Sequence, residues 1–333
     1  MIISRTPLRI SFFGGGTDYP IFYKEAHGGA VLSTTINKHS YVICRRLPPF
    51  FDYNYRIRYT VREETKTIAE IKHPSVRECL NFMNFGYGIE IQHNADLPAM
   101  SGLGSSSAFT VGLLNALYAL KGELISKRQL ALKAIHIEQD LIKENVGSQD
   151  QTIASFGGFN KIEFGGQRKI MVYPMTLEPG KINYLQRHLM LFFTGFPRSA
   201  SEIAAEQIKM TPQKTSELTS MMQMVDEAVK VLNGPQEGYD DFGKLLHEAW
   251  QLKRSLTPRI STSLIDEIYE SARKAGAIGG KLLGAGGGSF ILLFANPKEH
   301  EKIKERLGKL LYVPFEFHDL GSQIIYYAPE QNY

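Results

Sequence analysis

Cysteine, charge bias and long apolar runs are all scarce in this 333-residue chain, and each scarcity removes a class of protein. The only two cysteines, Cys44 and Cys79, have no paired spacing, so a disulfide framework or a zinc site is excluded and a reducing compartment suits the chain. Lys plus Arg number 38 against 34 Asp plus Glu, and a net charge of +4 is too small to predict nucleic-acid or membrane binding. No apolar run reaches the roughly 20 residues of a membrane span. The first residues, MIISRTPLRISFF, lack the basic stretch, apolar core and cleavage site of a signal peptide. The expectation is a cytoplasmic protein with neither nucleic acid nor membrane as a partner.

What is present is a hydrophobic content of 43%, enough over this length for a large core in two lobes, expected at residues 1–185 and 186–333. Residues 1–13 read as a strand that breaks at Gly14-Gly15-Gly16. Residues 29–60 are rich in β-branched and aromatic side chains and read as strands and hairpins. The stretch GIEIQHNADL predicts another strand, followed by a glycine- and serine-rich loop and a helix over Ala108 to Leu120. Ser126 with Gln129 forms a capping-box signal for a helix expected to end near Asn145. Beyond it come a glycine-punctuated hairpin, a mainly helical stretch over 199–275, and KLLGAGGGSFILLF, a glycine turn entering a buried strand.

The loop from Pro98 to Ala108, PAMSGLGSSSA, carries the most chemistry. Gly102 and Gly104 let the backbone approach a ligand, and the helix that follows offers unpaired N–H groups to phosphate. Serine hydroxyls add donors. No Gly-Lys-Ser/Thr closes the loop, and the third glycine of a dinucleotide fingerprint would fall on Ser107, so a P-loop and an oxidoreductase reading both fail. Composition alone would also suit an ordinary turn.

This loop resembles the second motif of the GHMP kinases, the family of galactokinase, homoserine kinase, mevalonate kinase and phosphomevalonate kinase, with one extra serine before the alanine. TPLRISFFGGGTDYP at 6–20 is similar to the first motif and KLLGAGGGSF at 281–290 to the third, in the right order. The resemblance implies an α+β, two-lobed GHMP kinase fold, its N-terminal lobe like domain 2 of ribosomal protein S5 and its C-terminal lobe ferredoxin-like. It implies ATP and Mg²⁺ as cofactors. By motif position it places Gly102, Leu103, Gly104, Ser105, Ser106 and Ser107 on the ATP phosphates, Ser106 and Glu138 on the metal, and Asp150 as catalytic base. Which of the three serines meets the metal stays open, and Asp140 is a lower-ranked rival to Glu138. Arg9 matches the basic residue of the first motif and is expected beside the acceptor hydroxyl or Asp150.

The first motif points to a sugar, with Gly15, Gly16, Thr17 and Asp18 in the acceptor site, while the absence of the galactokinase Glu-His pair argues against galactose. Gly286 and Gly287 of the third motif would let the backbone approach the substrate. Together the first and third motifs resemble those of bacterial D-glycero-D-manno-heptose 7-phosphate kinases. This implies phosphorylation of the anomeric hydroxyl to the 1,7-bisphosphate, on the way to nucleotide-activated heptose and surface polysaccharide. A phosphorylated sugar needs a second anion site, for which Arg198 and Lys281 are the candidates. The competing readings are a kinase for fucose, unphosphorylated heptose or a mevalonate-like alcohol, a decarboxylase of the diphosphomevalonate type, and a non-catalytic sugar sensor. A homodimer is left open.

Overall fold

The computed structural model describes residues 1–24, 28–166, 169–195 and 200–328. Strand β1 (Ile2–Phe13) stops where Gly14 and Gly16 adopt φ of +80° and +108°, a region that side chains other than glycine resist. A Cβ on Gly14 would in addition sit 1.9 Å from the Ala30 carbonyl oxygen. After one helical turn, α1 (Pro20–Phe22), the β-branched run expected to contain hairpins is a single 18-residue strand, β2 (Gly29–Arg46). A hairpin of β3 (Tyr55–Arg58) and β4 (Arg62–Thr65), helix α2 (Pro74–Met83) and β5 (Ile89–Ala95) lead to the glycine-serine loop. From it runs α3 (Ser105–Leu120), apolar on nearly all sides and buried against β1 and β2.

Helix α4 (Lys127–His136) opens with the expected capping box, Ser126 and Gln129 satisfying each other's backbone N–H. It does not reach Asn145. It passes into a π-helical turn, Ile137–Leu141, in which the Ile142 N–H donates to the Ile137 carbonyl at 2.9 Å. Helix α5 (Gln149–Phe156) follows, then the hairpin of β6 (Phe159–Gly165) and β7 (Lys169–Pro174).

The rest of the chain is α6 (Pro179–Arg187), β8 (Leu189–Gly195), α7 (Ala200–Met210), α8 (Thr215–Asn233), α9 (Asp240–Leu256), α10 (Ser263–Lys274), β9 (Ala277–Leu282) and β10 (Ser289–Ala295). It closes with α11 (His300–Arg306), β11 (Leu311–Tyr312), β12 (Phe317–His318) and β13 (Gln323–Tyr327). Strands β8 to β11 form an antiparallel sheet in the order β11-β8-β10-β9, the ferredoxin-like arrangement. The other nine make one sheet along β13-β1-β2-β5-β3-β4, with β6 and β12 also on β2 and β7 on β6. The expected division at 185/186 therefore needs a correction: β12 and β13 return from the second lobe to pair with β2 and β1.

The lobes meet at glycine. Gly102 of the phosphate loop and Gly284, after β9, lie so close that a Cβ on Gly284 would be 2.5 Å from the Gly102 Cα. Both residues have positive φ, so the contact is backbone on backbone. Inside the second lobe, α9 lies equally close on β9, since a Cβ on Gly279 would be 1.8 Å from the Gly243 carbonyl oxygen. These approaches fix where the end of α9 and the β9–β10 turn stand relative to the phosphate loop.

Candidate active site

Gly104 caps α3 with φ +76°, and its carbonyl accepts from the Ala108 N–H at 2.9 Å. The N–H groups of Ser105, Ser106 and Ser107 open the helix and have no intrahelical acceptor, which makes an anion site with the positive end of the helix dipole behind it. The loop is held from the other lobe by Ser289, whose hydroxyl donates to the Met100 carbonyl at 2.9 Å.

Arg9 joins this loop to the expected base. Its Nε and Nη2 each donate to Asp150 at 2.8 Å, a two-point contact, while Nη1 donates to the Gly102 carbonyl at 2.6 Å. The Arg9 N–H also donates to the Leu103 carbonyl. A strand arginine commonly extends into solvent, but this one is buried, because β1 is an interior strand whose end faces the junction between the lobes. Asp150 stands in the first turn of α5, its carboxylate partly open to the cavity described below.

Glu138 is placed by the π turn, which rotates it inward beneath α3 while Asp140 turns to the surface and pairs with His136 at 2.7 Å. Its serine partner differs from the expected one. Ser107 donates to Glu138 Oε2 at 2.8 Å, whereas Ser106 is exposed at the rim. Gln151 also donates to Oε2, and Oε1 is buried with no hydrogen-bond partner. Burial pushes the carboxyl up to about 7, against the nearby Thr110 hydroxyl and the hydrogen bonds from Gln151 and Ser107, which lower it. An orphaned carboxylate oxygen next to a serine suits a hard divalent cation, which in phosphoryl-transfer sites needs only one or two protein oxygens besides the phosphates. Among the described residues no group of three or more His, Cys, Asp or Glu forms a metal cluster.

The phosphate loop, the Arg9–Asp150 pair and the first motif surround one cavity of about 290 Å³. Asp18 lies on its wall with both carboxylate oxygens anchored, Oδ1 to the Gly16 N–H at 3.0 Å and Oδ2 to the Gln149 N–H at 3.3 Å. Burial raises its pKa, and the Asp150 charge adds to the rise against those hydrogen bonds. Two further polar atoms on this wall, Ser11 Oγ and Gln149 Oε1, are buried without a partner. Lys281 reaches the wall too, donating to the Phe12 carbonyl at 2.7 Å, its pKa driven well down by burial and by the nearby Lys253 and Arg9 charges.

The structure thus brings Arg9, Gly15, Gly16, Asp18, Gly102, Gly104, all three serines, Asp150 and Lys281 to one cavity. Five expected residues do not reach its wall, among them Glu138, which is fully buried behind Ser107. The Thr17 hydroxyl is used up within the first-motif loop, bonded to Gly14 and Ala30. Leu103 is fully buried, and Gly286 and Gly287 lie against Ile260 and Ile203. Arg198 lies outside the described residues. Sequence reasoning missed Ser11, Gln149 and Lys253 on this wall, and of these Lys253 of α9 left a signal. It is the only charge in the stripe Phe242, Leu245, Leu246, Ala249, Trp250 and Leu256, all buried.

Comparison with known proteins identifies the family. Residues 71–158 match the family model described as GHMP kinases N terminal domain, and residues 227–313 match GHMP kinases C terminal. The chain is 29% identical to the D-glycero-alpha-D-manno-heptose 7-phosphate kinase of Campylobacter jejuni, over 91% of this chain and 92% of that one. It is 27% identical to the bifunctional fucokinase/GDP-fucose pyrophosphorylase of Arabidopsis thaliana, over 90% of this chain but 30% of that longer protein. Among solved structures, a D-glycero-D-manno-heptose 1-phosphate kinase from Bacteroides thetaiotaomicron superposes with a TM-score of 0.78 at 22% identity, covering 97% of this chain and 98% of that one.

Proposed function

This chain belongs to the GHMP kinases and is an ATP-dependent phosphotransferase, and we propose that its acceptor is a sugar, D-glycero-D-manno-heptose 7-phosphate, phosphorylated at the anomeric hydroxyl. The observation that carries the sugar reading is the wall beside Asp150. Asp18, Ser11 and Gln149 all line it, Ser11 Oγ and Gln149 Oε1 have no hydrogen-bond partner within the protein, and such a polar set suits a ligand bearing several hydroxyls. The heptose phosphate itself is supported by the C. jejuni relative, similar over nearly its whole length.

In this reading the ATP phosphates rest on the N-terminus of α3 and its serines. The acceptor oxygen attacks the γ-phosphorus, the bond to the β–γ bridging oxygen breaks, ADP departs, and the acceptor proton passes to Asp150. Arg9 fixes the Asp150 carboxylate and, through Gly102, the loop, so base and phosphate are held in one frame. Mg²⁺, held by Glu138 with Ser107 or Ser106, would supply charge neutralisation on the phosphates when bound.

The experiment is ADP release with Mg²⁺ against mannoheptose 7-phosphate, mannoheptose, fucose, galactose and mevalonate, with the product's phosphorylated position read by NMR. Selective turnover of the heptose phosphate at C1 is expected. Turnover of another acceptor would keep the kinase and replace the substrate, and no turnover with any of them would favour a sugar sensor.

A further inference from the structure

A lysine within the apolar stripe of a helix ordinarily sends its ammonium past the stripe into water. Lys253 cannot, because α9 ends against the lobe junction and the side chain is only 6% exposed. Its ammonium lies on the cavity wall and donates to the Gly284 carbonyl, in the turn that touches the phosphate loop. An ammonium has three hydrogens to donate, so two remain. Among the described residues no carboxylate lies within ion-pair distance of it, although Arg9, Asp18 and Asp150 are near enough for their charges to act on it. A buried cation with unused donors, set in a cavity beside two carboxylates that it does not touch, implies a polar group between them.

The charges decide what that group is. An anion placed at Lys253 would be attracted by Arg9 and Lys281 but repelled by Asp18 and Asp150, whereas a hydroxyl uses both kinds of neighbour, accepting from the ammonium and donating to a carboxylate. Asp18 has the capacity, since its two backbone hydrogen bonds leave part of its acceptor sites unused. Lys281 differs: only cations act on it, and it is tied to the Phe12 carbonyl.

We propose that Lys253 and Asp18 clamp one hydroxyl of the acceptor, other than the one that attacks, with the ammonium donating to its oxygen and the carboxylate receiving its hydrogen. Lys253 is then a specificity-determining residue of the acceptor site. The proposal rests on the reading of the acceptor as a hydroxyl-rich sugar.

The test uses Lys253→Met, which keeps length and packing, and Lys253→Gln, which keeps a donor towards Gly284 and serves if the first variant does not fold. Steady-state kinetics are measured with ATP and mannoheptose 7-phosphate, and with its 2-, 3-, 4- and 6-deoxy analogues. In both variants the acceptor KM is expected to rise about ten- to hundredfold, the scale of a hydrogen bond to a charged group, with the ATP KM unchanged. The deoxy analogue lacking the clamped hydroxyl is expected to be poor with the wild type and to lose nothing more with the variants. An unchanged acceptor KM, a rise confined to the ATP KM, or an equal further loss with every analogue overturns the clamp while leaving the kinase reading in place. A wild type inactive towards every sugar overturns both.

Discussion

In the proposed reaction Asp150 takes the acceptor proton while both its oxygens accept from Arg9, and Asn keeps one acceptor oxygen for Arg9 but cannot act as the base. Asp150→Asn is therefore expected to lower kcat by about 10²–10⁴ while leaving nucleotide affinity near that of the wild type, since the α3 N-terminus is untouched. Turnover together with equilibrium binding of a non-hydrolysable ATP analogue checks this, and near-normal kcat would remove Asp150 from the chemistry. Lys253 gives a second prediction, in stability. Burial, reinforced by the Arg9 charge and opposed by Asp18 and Asp150, brings its pKa down to about 8 from a usual 10.5. Between those values the unfolded chain keeps a proton that the folded chain has released, so stability rises with pH across the window and is lost as pH falls through 8. Lys253→Met abolishes this titration. The wild type should gain roughly 3 kcal/mol relative to the variant between pH 7 and pH 10.5, read from denaturant unfolding at several pH values. A constant difference would place the ammonium in water.

At the scale of elements, the site depends on loops that only glycine can build. Gly284 has φ +81° and its missing Cβ would press on the Gly102 backbone, which has no flexible end to move aside. Gly284→Ala is expected to cost about 1–2 kcal/mol from the backbone conformation alone and to raise the ATP KM as the phosphate loop shifts. Gly86→Ala, in open space, should do neither, and thermal unfolding with ATP kinetics separates the two variants. Loops of this kind were legible in the sequence because positive φ and close approach leave a residue type behind. So was the start of α4, whose Ser126–Gln129 pair carries its own hydrogen bonds. The π turn was not, because one bond from i to i+5 leaves no mark on composition, yet it sets which acid faces inward. That Ser107 and not Ser106 hydrogen-bonds Glu138 was equally hidden, since neighbouring helical residues differ by about 100° and nothing local fixes the phase. Lys253 was visible as a charge in an apolar stripe, but a lysine that sends its ammonium past the stripe into water leaves the same pattern.

For the molecule as a whole, the last strands decide whether the two lobes are separate. VPFEFHDL and QIIYYA, which hold β12 and β13, read as strands in the sequence, but their partners are some 280 to 320 residues away, so only the folded chain reveals the return. The returning segment does more than close the sheet. The Ser322 N–H donates to the Ala154 carbonyl of α5 at 2.8 Å, the Ser322 hydroxyl meets Thr6 Oγ1 at 2.8 Å, and Gly157 and Gly321 lie so close that a Cβ on Gly157 would be 2.0 Å from the Gly321 nitrogen. It thus braces the helix whose first turn carries Asp150. Strand β1 in turn touches α3 of the first lobe and α8 and α9 of the second, which predicts that the lobes unfold together. Trp250, the single tryptophan, is buried in the second core and reports on that lobe alone, whereas far-ultraviolet circular dichroism reports on both. The two signals should follow one thermal transition in the full chain. A chain ending at Phe315 should lose activity, expose the β1 edge, and show the Trp250 transition lowered along with the dichroism, although no deleted residue belongs to the tryptophan's core. If Trp250 instead melts at its original temperature while only the dichroism shifts, the lobes are energetically independent and the returning strands stabilise the first lobe alone.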